Sequence, residues 1–252
     1  MLKWNNVSAG YDKEDIIQHI HLHAKKGRIL ILAGRNGSGK TTLLKTLLNI
    51  PYQGEIMIHQ KPLTSYTPQQ LAQEIAYLPQ RRNPSDISVE RMVLHGRFPY
   101  LNYPRRYRKI DFEKAHEAMK MVGIEQYAHK SMRELSGGMQ QKAYIAMAIA
   151  QDTPIMIFDE PTVYLDIAYQ ISLLKLIKQL ARQGKTIIIV LHDIIQALHY
   201  GDDMAIIDQG MLQAYGSVEE LYEQGLITKY FGIEIKRTIS EEGPQYYYLL
   251  ND

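Results

Sequence analysis

Apolar positions along the chain fall into two rhythms. Four short runs are apolar almost without interruption: Ile29-Leu30-Ile31-Leu32-Ala33, residues 155–158, residues 186–191 and residues 204–207. A run of that length without alternation predicts a strand buried on both faces. Elsewhere the apolar residues recur every three or four places. Leu43, Leu44, Leu47 and Leu48 predict a helix over 42–49. Ile167, Ile171, Leu174, Ile177 and Ala181 predict a second over 167–181, ended by Gly184. Strands alternating with helices predict an α/β architecture. Residues 81–131 break that rhythm, with few β signals and much charge. Helical periodicity over 89–96 and 112–122 flanks a Tyr/Pro/Arg-rich loop over 98–109. The stretch is expected to be a helical insertion in the α/β core.

Composition narrows this picture. The chain has 252 residues, 45% hydrophobic and 22% charged, enough to bury a core and unlike a disordered tail or a fibre. No apolar run approaches the roughly 20 residues that cross a bilayer. Met1-Leu2-Lys3-Trp4-Asn5-Asn6 turns polar too soon for a signal-peptide core. There is no cysteine, which excludes disulfides, thiolate metal sites and a Cys nucleophile. A net charge of +2 gives no argument for nucleic acid. A soluble, cytoplasmic protein is expected.

Two segments carry chemistry. Gly34-Arg35-Asn36-Gly37-Ser38-Gly39-Lys40-Thr41 fits G-x-x-x-x-G-K-[ST], with a predicted strand before it and a predicted helix after. Glycines let a backbone wrap an anion and aim its N–H groups inward. The helix start favours phosphate, Lys40 adds a movable charge, and the Thr41 hydroxyl can ligate Mg²⁺. Thr42 continues the same turn. The second segment, Ile155-Met156-Ile157-Phe158-Asp159-Glu160, is an apolar strand ending in two carboxylates. Asp159 is the candidate Mg²⁺ ligand and Glu160 the candidate general base toward a water.

With these residues in view, the chain resembles the ATP-binding cassette (ABC) ATPases. Leu135-Ser136-Gly137-Gly138-Met139-Gln140-Gln141 looks like their signature motif. Tyr11 matches the aromatic that stacks on adenine, and Gln80 the glutamine that joins the metal and lies near the chemistry. Val163-Tyr164-Leu165-Asp166 matches the D-loop and His192 the switch histidine. The resemblance implies a RecA-like P-loop α/β core with an antiparallel β subdomain and a helical subdomain. Core and β subdomain would take residues 1–80 and 151–252, and the helical subdomain about 81–150. It implies ATP and Mg²⁺ as cofactors, catalysis by Glu160, His192 and Gln80, and a head-to-tail homodimer in the ATP state. In that dimer Ser136, Gly137, Gly138 and Asp166 would reach the partner's ATP. Three positions depart from the family pattern. Met139 replaces glutamine or glutamate, Lys142 stands where arginine is common, and Met147 replaces an arginine.

Within the family, Gly96-Arg97-Phe98-Pro99-Tyr100, the stretch from Leu71 to Gln80, Leu165-Asp166-Ile167-Ala168-Tyr169-Gln170 and Leu191-His192-Asp193-Ile194-Ile195-Gln196-Ala197 resemble the ATPases of iron–siderophore, haem and cobalamin importers. That resemblance implies an integral membrane permease as partner, an external substrate-binding protein acting indirectly, and a peripheral place on the cytoplasmic side of the cell membrane. The alternative is a soluble ABC ATPase without a transporter, such as an iron–sulfur assembly component. DNA-repair types interrupt the cassette with coiled coil or zinc modules, whereas the span from Lys40 to Leu135 is short and lacks cysteine. Translation-factor types carry two cassettes.

Three clusters are weighed apart. His19, His21 and His23 alternate with Ile20 and Leu22, which places them on one strand face; a solvated face is favoured over a metal site. Arg105, Arg106, Arg108 and Lys109 with Tyr100, Tyr103 and Tyr107 resemble a nucleic-acid patch. A solvated loop, or contact with the permease or lipid headgroups, is favoured, and no nucleic-acid partner is expected. Tyr246, Tyr247 and Tyr248 are expected in a strand packed on the core.

Overall fold

The structure, a computed structural model, describes residues 1–11, 14–48, 50–80, 86–241 and 243–249. Asn49, the expected end of the first helix, and Arg81, the expected start of the insertion, lie outside the described residues. The chain forms two compact units, one of Met1–Ser65 with Thr186–Asp252 and one of Tyr66–Lys185.

The first unit opens with the long strands β1 (Leu2–Tyr11) and β2 (Glu14–Ala24), then β3 (Ile29–Ala33) and helix α1 (Lys40–Lys45). Strands β4 (Tyr52–Ile58) and β5 (Lys61–Pro62) follow. β1 pairs antiparallel with β2 on one side and β4 on the other. Trp4 explains how this sheet meets α1. Its ring is buried, and its Nε1 donates to Thr46 Oγ1 at 3.2 Å. Thr46 Oγ1 in turn donates to the Leu43 carbonyl at 2.6 Å. That back-bond, with Leu47 N donating to Leu44 O, tightens the last turn and ends the regular helix before 49.

β2 departs from simple alternation. His19 has φ of 51° and its N–H donates to Ser8 Oγ at 3.0 Å. This bulge keeps both Ile17 and Ile20 buried despite their odd spacing. His19 and His21 are exposed and His23 half-buried. The His19 ring bonds Asn6 Oδ1 and the His23 ring the N-terminal amine. Among the described residues, no three His, Cys, Asp or Glu side chains converge as a metal site.

The second unit begins with α2 (Pro68–Glu74), which runs into β6 (Ile75–Leu78). Helices α3 (Val89–Leu94), α4 (Lys109–Met121) and α5 (Gly137–Gln151) follow, then β7 (Ile155–Asp159) and α6 (Ile167–Arg182). A 3-10 turn over His95–Tyr100 continues from α3. α4 begins three residues earlier than its periodicity suggests. The cause is Asp111, whose Oδ2 accepts the Arg108 N–H at 2.9 Å and caps the first turn. Asp111 is fully buried, and Arg97 Nε donates to its Oδ1 at 3.2 Å. Burial raises the acid's pKa, but the hydrogen bonds from Arg108 and Arg97 outweigh it and hold the carboxyl below its ordinary range. Arg97 also donates to the Ala150 carbonyl at 2.9 Å.

The chain then returns to the first unit with β8 (Thr186–Val190), α7 (Ile194–Tyr200), β9 (Asp203–Asp208) and β10 (Met211–Ser217). Helices α8 (Val218–Glu223) and α9 (Leu226–Phe231) and the hairpin β11 (Ile235–Ser240) and β12 (Gly243–Tyr248) complete it. Here the strands run in the order β10-β9-β3-β8. β3 is parallel to both β8 and β9, and every residue of β3 and β8 is buried. Two-sided burial is why these strands are legible as unbroken apolar runs. Tyr246 lies edge-on to the rings of His199 and Tyr222, packing β12 on its own unit. Among the described residues no helix is long and apolar enough to cross a membrane.

Candidate active site

In the first unit, β3 runs into the glycine-rich turn and α1 leaves it. Gly34 has φ of 147°, and a Cβ there would stand 2.1 Å from the Ile207 carbonyl oxygen. Only glycine lets the loop lie that close to β9. Gly39, also at positive φ, precedes α1 without a side-chain cap. Arg35, Asn36 and Gly37 are exposed, whereas Ser38, Lys40 and Thr42 are buried and Thr41 is half-buried. Lys40 Nζ donates to the carbonyls of Gly34 and Arg35 at 2.8 and 2.9 Å. The loop therefore holds its own cation over its mouth, a preorganised charge for an anion. Tyr11 is 43% exposed at the end of β1, with Lys45 Nζ 5.9 Å from its ring centroid. His192 follows β8 and is exposed. Its neighbour Asp193 caps α7, Oδ1 accepting from the N–H groups of Ile195 and Gln196 at 2.8 and 3.2 Å. Tyr248, on β12, donates its hydroxyl to the same oxygen at 3.3 Å.

In the second unit, β6 and β7 pair in parallel with Leu78 opposite Phe158. That register brings the residues after both strands together. Asp159 is fully buried, and Tyr77 donates its hydroxyl to Asp159 Oδ2 at 3.2 Å. Glu160 has φ of 54°, uncommon for a side chain with a Cβ and a feature that concentrates at functional sites. Gln80 Nε2 donates to Glu160 Oε2 at 2.5 Å. The turn that aims Glu160 and the amide that holds it are thus parts of one arrangement.

The signature residues open α5. Ser136 is exposed and caps the helix, its Oγ accepting the Met139 N–H at 3.4 Å. Gly137 is also exposed, and a Cβ there would meet nothing within 4 Å. Gln141 Nε2 donates to the Pro161 carbonyl at 2.7 Å, tying α5 to the chain just past Glu160. Asp166 caps α6, Oδ1 accepting the Tyr169 N–H at 2.8 Å. Tyr164, two residues before it, has φ of 67° and is 79% exposed.

The structure thus groups Tyr11, the glycine-rich turn with Lys40, Thr41 and Thr42, and His192 in one unit. It groups Gln80, Asp159, Glu160, Ser136, Gly137, Gly138 and Asp166 in the other. Sequence reasoning missed Tyr77 as the partner of Asp159. Its signal was a phenol inside a four-residue apolar strand beside a strand that ends in a carboxylate. It also missed Tyr248, whose bond to Asp193 joins segments far apart in sequence.

Residues 17–163 match the family model described as ABC transporter. The chain is 36% identical to the ferric enterobactin transport ATP-binding protein FepC of Escherichia coli (strain K12), covering 92% of this chain and 87% of that protein. It is 35% identical to the achromobactin transport ATP-binding protein CbrD of Dickeya dadantii (strain 3937), covering 91% and 87%. Among solved structures, an inward-facing metal-chelate type ABC transporter superposes with a TM-score of 0.82 at 27% identity, covering 99% of this chain and 97% of that one. A dimeric ATP-binding cassette in a post-hydrolysis state with ADP and phosphate gives 0.78 at 28% identity, covering 86% and 99%. The chain belongs to the ABC transporter family, as an ATP-hydrolysing cassette of P-loop α/β fold.

Proposed function

We propose that this chain powers import of an iron–siderophore-type metal chelate through a separate integral membrane permease. It sits peripherally on the cytoplasmic side of the cell membrane, with an external binding protein delivering the cargo. The observation that carries the cargo class is the identity of 35–36% over nine-tenths of the chain to ATP-binding proteins of achromobactin and ferric enterobactin transport. The helical subdomain, about residues 81–150, is the part that meets the permease.

The residues suggest the following division of labour. Tyr11 stacks the adenine, a contact worth about 1–3 kcal/mol by analogy with bases on aromatics. Lys40 exchanges the carbonyls of Gly34 and Arg35 for phosphate oxygens, and the loop N–H groups bind the rest. Thr41, Gln80 and Asp159 offer a hydroxyl, an amide oxygen and a carboxylate. This all-oxygen donor set suits Mg²⁺. The ion would neutralise charge building on the phosphates. Glu160 polarises the attacking water, held in place by Gln80, and His192 orients that water and the γ-phosphate. Ser136, Gly137, Gly138 and Asp166 of each subunit complete the charge cage around ATP held by its partner in a head-to-tail homodimer. Catalysis is mostly positioning and electrostatics.

The test is recovery of the tagged chain from detergent extracts of the native membrane. A polytopic permease should accompany it, and the associated external protein should bind a ferric siderophore. Recovery with soluble iron–sulfur assembly proteins instead would overturn the importer reading.

A further inference from the structure

Lys142 lies on α5, beyond Ser136 by about a turn and a half. Its Nζ stands 3.7 Å from the ring centroid of Tyr169, on the first turn of α6. Both side chains are half-buried, so the ammonium meets the ring face with part of its water removed, where such contacts are strongest. Tyr169 is itself fixed from two further sides. Its hydroxyl donates to the Val122 carbonyl at the end of α4 at 3.2 Å. Its N–H is the donor that Asp166 accepts at 2.8 Å. Burial pushes the phenol well above its ordinary range, so the hydroxyl remains a donor at any working pH. The two segments also come close at their starts, since a Cβ on Gly138 would stand 3.1 Å from the Tyr164 carbonyl oxygen.

We infer that Lys142 is a positioning residue that locks the signature helix to the D-loop helix through Tyr169, so that Ser136 and Asp166 present themselves to a partner's nucleotide as one rigid edge. The inference rests on the reading that these two residues act across a dimer interface. Lysine can fill this place where arginine is common because either cation lies on an aromatic face. The part of the contact that acts is the charge, since a neutral side chain of similar length would cover the ring equally well.

The experiment measures steady-state ATPase of the full-length chain, with kcat and KM separated. Lys142→Met keeps the stem and removes the charge. It should leave KM for ATP and the thermal midpoint near wild type while lowering kcat roughly three- to tenfold. Lys142→Arg should restore kcat. Tyr169→Leu should lower kcat as well, and the double variant should lose no more than the worse single one. Wild-type kcat in Lys142→Met, or losses that multiply in the double variant, would overturn the inference. Ser136→Glu separates it from the reading beneath it. If that variant keeps full turnover, the signature does not act on a partner's ATP and the reading falls. If it is inactive while Lys142→Met is unaffected, only the coupling falls.

Discussion

Two glycine-rich turns lead into helices in this molecule, and they use glycine for different reasons. At the phosphate loop the reason is inside the chain. Gly34 sits at φ of 147°, with the Ile207 carbonyl where a Cβ would be. At Gly137 of the signature turn the chain itself imposes nothing comparable. Gly137 is helical, exposed and surrounded by open space. Alanine would fit there and favour the helix. If glycine at 137 has a physical purpose, it concerns something that approaches from outside, as a partner's triphosphate would. On the proposed function, one turn is shaped for its own unit and the other for a visitor.

The comparison can be broken at several points. The largest effect is expected from Gly34→Ala. The clash with a backbone carbonyl should cost about 3 kcal/mol or more, lowering the thermal midpoint by roughly 6–12 °C, and nucleotide binding should vanish with it. A thermal scan near wild type would show that the loop can relax. Next is Glu160→Gln, which should keep ATP binding, nearly abolish hydrolysis and trap a dimer visible by size-exclusion chromatography. Near-wild-type turnover would remove Glu160 as the base. Gly137→Ala should be thermally neutral or slightly stabilised, yet lose about tenfold or more in kcat and fail to dimerise when combined with Glu160→Gln. A destabilised Gly137→Ala would contradict the contrast drawn between the turns. The smallest effect belongs to Tyr11→Ala. It should raise the Kd for ATP about tenfold, the loss of one stacked base, with little change in kcat; equilibrium titration with a fluorescent nucleotide would read it.

Legibility in the sequence followed the distance over which each constraint acts. The phosphate loop was readable because wrapping an anion demands contiguous residues at fixed spacing. Strands β3, β7 and β8 were readable because each is buried along its whole length. The start of α4 was misplaced because Asp111 and Arg108 set it by a local cap that periodicity does not register. Arg97 taught more. Its motif was read only as a resemblance carried by the helical insertion, and its guanidinium is buried against Asp111 and the Ala150 carbonyl. Phe98, next to it, is exposed. The tie between helices, Lys142 on Tyr169, and the tie between strands, Tyr77 on Asp159, join positions whose proximity only the folded chain decides.

The 3-10 turn after α3 carries a consequence for the departures in α5. A Cβ on Gly96 would lie 2.2 Å from the Met147 carbonyl oxygen and 3.1 Å from the Gln151 nitrogen. At Gly96 the turn therefore reads the main chain of α5, not the side chain at 147. The same holds at 139, whose N–H, not its thioether, answers Ser136. At both places the identity of the residue is invisible to the contact its backbone makes. At 141 and 142 the side chains themselves form the joints. In these contacts within the unit, a departure from the motif registers only where the neighbour meets a side chain rather than the main chain.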